Sequence, residues 1–274
     1  MSVLAVDRDK CNSCGVCVLE CPRGIIELVE LGAVPRYAEG REEVCIICGH
    51  CVAVCPRDAI ALETMKPEDC APVRMELLPA AEQVEHFLRS RRSVRTYRKK
   101  PVPREMLAKL INIARYAPSG HNAQPVQWLV IEDTKEVSRL TGLVADWMRL
   151  AIKEIPELAD YLRFDLILAD WDSGIDRIMR DAPHTIVAHA PRDNVMAPQA
   201  SVIALTTLEL AAYSQGLGAC WAGFFHLGTM FYPPMREALQ LPEGHTCLGA
   251  MMIGYPRHRF RRIPLRNEPA IIWR

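Results

Sequence analysis

"CNSCGVCVLECPRG" occupies residues 11–24, and "CIICGHCVAVCPRDA" occupies residues 45–59. Both fit C-x2-C-x2-C-x3-C-P, and the second repeats the first after 34 residues. Three thiolates on one tight loop can each reach a different iron of a cubane cluster, leaving a fourth ligand to come from elsewhere. The competing reading is a pair of structural zinc sites. Zinc usually takes two CxxC pairs set well apart, which a triple CxxCxxC followed by x3-CP matches poorly. Gly15 and Gly49 let backbone amides approach cluster sulfides, and Pro22 and Pro56 turn the chain at each loop's end. Each motif leads into a β-branched run, "IIELVE" or "AIALET", so one supersecondary unit is used twice.

The chain has 274 residues, half of them hydrophobic and 24% charged, as expected of a folded globular protein. Lys+Arg and Asp+Glu both number 33, so no global field favours nucleic acid or an anionic membrane. The local distribution is uneven: residues 1–70 hold 12 acidic and 7 basic side chains, whereas 89–104 holds eight Arg/Lys and no acid. "MSVLAVDRDK" lacks the apolar region of a signal peptide, and no run approaches the ~20 apolar residues of a membrane span. Eight cysteines crowded into the first fifth of such a chain point to metal ligation in a reducing compartment, with the cytoplasm as the expected address. Cys70, Cys220 and Cys247 lie outside the repeat and read as small hydrophobes or a plain linker thiol.

Residues 64–80 carry three prolines and no periodicity, which marks a linker. Beyond them, "AEQVEHFLRS" is an amphipathic helix. "REMLAKLINIARYAPSG" is another, with Leu107, Leu110, Ile111 and Ala114 on one face and a stop at Pro118–Gly120. "QWLVIED" and "HTIVAHAP" read as strands, and residues 134–170 as helix broken at Pro156. "QASVIALTTLELAAYSQG" is helical and apolar nearly all round, so it belongs in the core or in a subunit interface. "GLGACWAGFF" and "TCLGAMMIGYP" read as short central strands. The mixed order gives an α+β domain. Gly216-Leu217-Gly218 lacks the third glycine of a dinucleotide fingerprint and is rejected as one.

"RRSVRTY" (91–97) places Arg91, Ser93 and Arg95 on one face if extended, and two guanidinium forks with a hydroxyl suit a phosphate. "RHRFRRIPLR" supplies a second arginine cluster near the C-terminal end. The bland reading of either is a solvated charge run.

Two resemblances follow from these motifs. The cysteine repeat resembles bacterial two-[4Fe–4S] ferredoxins over residues 3–64. In those proteins the cysteine before the proline serves the other cluster. The resemblance therefore implies one cluster on Cys11, Cys14, Cys17 and Cys55, and a second on Cys45, Cys48, Cys51 and Cys21. "RRSVRTY", "APSGHNAQP", "GLGACWAGF", "IGYP" and a terminal Arg-x-Pro, in that order, resemble the FMN-dependent nitroreductase family over about 82–274. That resemblance implies an α+β sandwich, an intertwined homodimer and FMN in the dimer interface. Arg91, Ser93 and Arg95 match its first phosphate-binding segment. Arg262 matches the C-terminal phosphate arginine, with Arg261 as the competing register. Pro118, Ser119 and Asn122 match the segment beside the isoalloxazine, with Gln124 as a neighbouring candidate. Gly223 matches the glycine whose N–H approaches flavin N5. Two positions depart from the family pattern: Val126 and Gln127 follow Gln-Pro where an aromatic is common, and Ala222 precedes Gly223 where an acid is common.

The expected organisation is a two-cluster ferredoxin domain (1–66), a linker (67–80) and a nitroreductase-like FMN domain (81–274). The expected activity passes electrons from an external low-potential donor through the clusters to FMN and on to an organic acceptor such as a nitro compound. Reductive action on activated alkenes or halogenated compounds, or a relay or sensor without turnover, are the alternatives. His121 is the candidate proton donor, its other reading being a loop histidine that caps backbone. His184 and His189 read as structural. Trp171 and Tyr161 read as core more than as a pocket lid, and Phe224 and Phe225 as ring neighbours or core.

Overall fold

The computed structural model describes residues 4–30 and 32–274, so the first three residues of the N-terminal stretch read above lie outside it. Contacts divide the chain into two compact units: Met1–Pro79 with Gly120–Ala123, and Ala80–Ser119 with Gln124–Arg274.

In the first unit, β1 (Leu4–Val6) pairs antiparallel with β4 (Ile60–Leu62), in register Leu4↔Leu62 and Val6↔Ile60. β2 (Ile26–Glu27) pairs with β3 (Arg36–Tyr37). Each cysteine motif carries one short helix, α1 (Val16–Leu19) or α2 (His50–Ala53). Gly15 and Gly49 cap them at φ 76° and 74°, the left-handed region that glycine enters without a Cβ clash. The repeat is therefore one of backbone conformation as well as of letters. Ser13 and Ile47 (φ 56° and 50°) correspond, as do Gly24 and Asp58 (φ 58° and 49°). The small core joins Cys17 and Cys51 to Ile25, Ile26, Val52 and Ile60.

The second unit is a four-stranded sheet between helical layers, in order β5-β6-β8-β7 and antiparallel throughout. Its strands are β5 (Gln127–Ile131), β6 (His184–Pro191), β7 (Gly218–Trp221) and β8 (His245–Gly254). Both faces are covered, so β6 and β8 read as continuous apolar runs, while alternate residues still part to opposite sides. Ile186, Ala188, Met251 and Ile253 face α4 (Arg104–Ala114) and α8 (Ala197–Ser214). Val187, Ala250 and Met252 face α5 (Thr134–Glu154), α7 (Phe164–Asp172) and α9 (Gly223–Phe231).

α4 forms where its periodicity predicts. Leu107, Leu110 and Ala114 are buried to 1% exposure or less, and Ile111 packs at their edge. Leu110→Ala would remove a fully buried side chain, at a cost of about 2–5 kcal/mol. α3 (Ala81–Ser90) begins where the Gln83 side chain accepts the Ala80 N–H at 2.9 Å. α5 is capped by the Asp133 carboxylate, which accepts from Lys135 N–H at 2.9 Å. Ile155 ends α5, and α6 (Pro156–Leu162) starts at the proline. α10 (Pro233–Ala238) also opens on proline.

The "GLGACWAGFF" stretch departs from a simple strand. β7 stops at Trp221, and Gly223 opens α9. Ala222 N–H still bonds Ala250 O at 2.9 Å, while Ala222 O accepts His226 N–H at 3.0 Å, so one residue closes the sheet and opens the helix.

Candidate cluster and flavin sites

None of the eight repeat cysteines is joined in a disulfide. Burial pushes the Cys17 thiol up from its usual value, backbone hydrogen bonds pull it back, and the nearby Cys14 and Cys55 thiols add to the rise. Burial likewise pushes Cys51 up to about 11, and the thiols that add to it are Cys48, Cys45 and Cys21. The neighbours are thus crossed, with Cys55 beside the first motif's cysteines and Cys21 beside the second's. Cys21, Cys45, Cys48 and Cys51 also line one cavity. Among the described residues, no three His, Cys, Asp or Glu side chains converge tightly enough to hold a single metal ion. A cubane core held from its corners fits this donor set. Ser13 N–H points at Cys11 Sγ (3.4 Å) and Ala59 N–H at Cys55 Sγ (3.3 Å), the kind of bond that helps set a cluster's potential.

In the second unit the 91–97 segment runs along β7. Val94 N–H donates to Ala219 O at 2.9 Å, and the Tyr97 hydroxyl donates to Val94 O at 2.7 Å. A Cβ on Gly218 would stand 2.6 Å from Val94, so this close passage requires the glycine. Arg91 donates to Glu209 at 2.7 Å, and Glu209 is 6% exposed. A buried carboxylate needs such a partner. Ser93 bonds the Cys220 thiol, whose pKa is raised by burial and lowered by the nearby Arg95. Burial lowers the Arg180 pKa, with Arg177 and Arg95 lowering it further.

The opposite side of the same segment meets the C-terminal arginines. Ser90, Arg92 and Val94 line a cavity with Arg259, Arg261 and Arg262. The two arginine clusters therefore converge, but Arg261 and Arg262 share their cavity with the even-numbered residues, not with Arg91, Ser93 and Arg95. A second cavity gathers Pro118, Ser119 and Gln124 with Ala200 and Ala204 of α8. Gln124 N–H donates to Ser119 Oγ at 2.9 Å. A Cβ on Gly223 would meet nothing within 4 Å, so open space lies beside the first N–H of α9. The arginines and the lined cavity each have chemistry that a flat anionic cofactor would use: guanidinium charge for an anionic group, and a cavity walled by proline and small side chains for a ring.

Other candidates fall elsewhere. His121 is exposed at φ 54° in the turn Gly120–Asn122. His184 is locked by two bonds, accepting Val102 N–H at Nε2 (2.8 Å) and donating from Nδ1 to Glu132 O (2.7 Å). His189 is buried with its Nδ1 3.0 Å from that of His245. Tyr161 is exposed, Phe225 is fully buried, and Phe224 and Trp171 pack at the core's edge. Cys220 and Cys247 are buried and Cys70 is exposed. Glu209 and Arg180 were not singled out from sequence. Glu209 had a signal: it is the only acid in the apolar α8. No helix among the described residues is long and apolar enough to cross a membrane.

Comparison with known proteins places both units. Residues 10–60 match the 4Fe-4S dicluster domain, and residues 88–255 match the nitroreductase family. An FMN reductase [NAD(P)H] of Bacillus subtilis is 28% identical over 188 residues, which cover 67% of this chain and 70% of that protein. A nitrobenzene nitroreductase of Ectopseudomonas oleovorans is 27% identical over 210 residues, covering 65% of this chain and 88% of the relative. A nitroreductase of Bacteroides fragilis, solved with bound FMN, superposes with a TM-score of 0.57 at 21% identity, covering 70% of this chain and 99% of its own. The family match takes in the whole four-stranded sheet, the 91–97 segment and the space at Gly223, so the chain belongs to the nitroreductase family, with a 4Fe-4S dicluster domain before it in sequence.

Proposed function

We propose that this protein is an FMN-dependent oxidoreductase that draws its electrons through two [4Fe–4S] clusters and reduces a small organic acceptor such as a nitro compound. The crossed cysteine neighbours carry the reading: Cys21 lines one cavity with Cys45, Cys48 and Cys51, and Cys55 lies beside Cys17, in one chain with a nitroreductase-family domain and no dinucleotide fingerprint. The cofactors supply the chemistry, one-electron transfer at the clusters and one- or two-electron transfer at the flavin.

The chain's residues bind and orient them. Cys11, Cys14, Cys17 and Cys55 hold one cluster, and Cys45, Cys48, Cys51 and Cys21 the other. Ser93 and Arg95 offer donors and charge to the FMN phosphate, while Arg261 and Arg262, on the other side of the segment, add positive charge without sharing that face. Glu209 holds one arm of Arg91 and leaves its remaining donors for the same group. Gly223 presents an N–H that has no acceptor within its own helix. Pro118, Ser119 and Gln124 wall the ring, and the small Ala200 and Ala204 leave it room. The protein acts as a homodimer. Leu265, Ile272 and Trp273 are 96%, 85% and 86% exposed, and a C-terminal stretch this apolar supports docking on a second copy.

Anoxic purification followed by iron, sulfide and flavin counts tests the cofactor set, with about eight irons per chain expected. Turnover of a nitro, enone and halo-compound panel with reduced viologen tests the activity. Flavin reduction without turnover of any panel member would overturn the enzyme reading.

A further inference from the structure

Asn122 lies in the turn Gly120–Asn122, which belongs to the first compact unit although the residues before and after it belong to the second. Its side-chain nitrogen donates to Ile46 O at 3.2 Å and to Ile47 O at 3.0 Å. Those carbonyls lie between Cys45 and Cys48, two ligands of the second quartet. We infer that Asn122 is a positioning residue for the second cluster, holding the Cys45–Cys48 loop from outside, and that it is not the partner of the flavin's pyrimidine edge. The inference rests on the cluster reading of the cysteines.

Three observations carry it. The bonded loop is strained: Ile47 is β-branched yet adopts φ 50°, a conformation that persists only where surrounding contacts over-determine it. The bracing segment is strained too, with His121, Asn122 and Gln124 at φ 54°, 53° and 44°. Such a run of left-handed residues requires anchoring: Ser119 Oγ accepts Gln124 N–H at its end, and the Asn122 side chain ties its middle to the cysteine loop. The first motif lacks this brace. Among the described residues, no side chain donates to the carbonyls of Asn12 or Ser13, the counterparts of Ile46 and Ile47.

Groups that bond and orient the residues around a metal ligand tune the metal as well as hold it. Changing them typically costs about 10–100-fold in metal affinity. Asn122 is also two residues from Gln124 and three from Ser119 in the chain. In sequence, Asn122 therefore sits inside a six-residue stretch, Ser119–Gln124, whose two ends are flavin candidates.

The test uses the full-length holoprotein and two variants. Asn122→Asp keeps the shape and tolerates the left-handed backbone but cannot donate. Asn122→Gly relieves the backbone and removes the side chain. Redox titration followed by electron paramagnetic resonance reads each cluster. The component perturbed by Cys48→Ser identifies the second cluster, and that perturbed by Cys14→Ser the first.

Both Asn122 variants are expected to shift the second cluster's potential and to release its iron to a chelator about 10-fold faster. The first cluster should be unmoved, and FMN affinity should stay within about twofold of wild type. An unchanged second cluster in both variants overturns the inference, and so does an equal change in both clusters. A tenfold loss of FMN affinity with intact clusters would return Asn122 to the flavin. Absence of iron from anoxic wild-type protein would overturn the cluster reading itself, and this inference with it.

Discussion

The two cysteine motifs are covalent twins in unlike surroundings. Both place left-handed residues at the same three positions, and both cap a one-turn helix with glycine. Around that shared backbone, almost every contact differs. Cys14 is exposed, whereas its counterpart Cys48 is partly covered. Gly15 lies against Leu28, Gly49 against Met65. Ser13 bonds back to its own loop, while the Ile46 and Ile47 carbonyls are held by Asn122 from far along the sequence. Spacing fixes how many irons each motif can serve. Surroundings, which the repeat does not copy, make the two clusters different.

The comparison is broken most severely by exchanging the crossing ligands. Cys21→Ser should remove the second cluster although it lies in the first motif, and Cys55→Ser should remove the first. Each loss should lower iron and sulfide by about half. If Cys21→Ser instead removed the component that Cys14→Ser perturbs, the ligands would not cross. A smaller effect follows from access alone. Under an iron chelator, the first cluster, reached past the exposed Cys14, should be lost several-fold faster than the braced second one. Equal rates, read as two components of one bleaching trace, would mean that the brace and the cover do not protect.

Much of this was legible in the sequence, for local reasons. Cluster spacing is covalent and short-ranged, so the dicluster motif itself is readable in the letters. Helix α4 was readable because Leu107, Leu110 and Ala114 recur at helical spacing. The α9 start at Gly223 was not, because "GLGACWAGFF" is apolar without a period, and such a run fits strand and helix alike. Alternation in "RRSVRTY" sets Arg91, Ser93 and Arg95 apart from Arg92 and Val94, and only the latter two line the cavity of the C-terminal arginines. It gave no means of finding Glu209, 118 residues away, or of foreseeing that Arg92 would be the one to line a cavity with Arg261. Asn122 bonds across 76 residues to the cluster loop. The family resemblance, which points Asn122 to the flavin, carries no information about a fused partner and so could not foresee that bond.

The capping glycines should separate the motifs next. A Cβ on Gly49 would stand 2.5 Å from Met65 Sδ, whereas one on Gly15 would stand 3.3 Å from Leu28 Cδ1. Both substitutions pay for a positive φ, about 1–2 kcal/mol for a side chain held there. Gly49→Ala must in addition displace a methionine, whose flexible thioether can yield at modest cost. Gly49→Ala should therefore be the more destabilising, by up to about 1 kcal/mol over Gly15→Ala, in anoxic urea unfolding of the holoprotein. The reverse order would show that the Leu28 side is the tighter one.

The smallest expected effect lies at Ser13 and Ile47, and its sign is the informative part. Ile47 is 38% exposed, so replacing it uncovers little apolar surface. Its left-handed backbone is an unfavourable place for a β-branched residue, and asparagine enters that region far more readily. Ile47→Asn should therefore stabilise the first unit, by about 1 kcal/mol. The Ile47 carbonyl that accepts from Asn122 is backbone and survives the change. Ser13→Asn, at the matching φ of 56°, replaces a small polar residue that was never β-branched, so its effect should stay within about 0.5 kcal/mol. Cluster absorbance followed through urea unfolding compares the two. If Ile47→Asn destabilised the protein instead, the isoleucine side chain would have to be holding part of the second motif's surroundings, and strain would not be what sets the two loops apart.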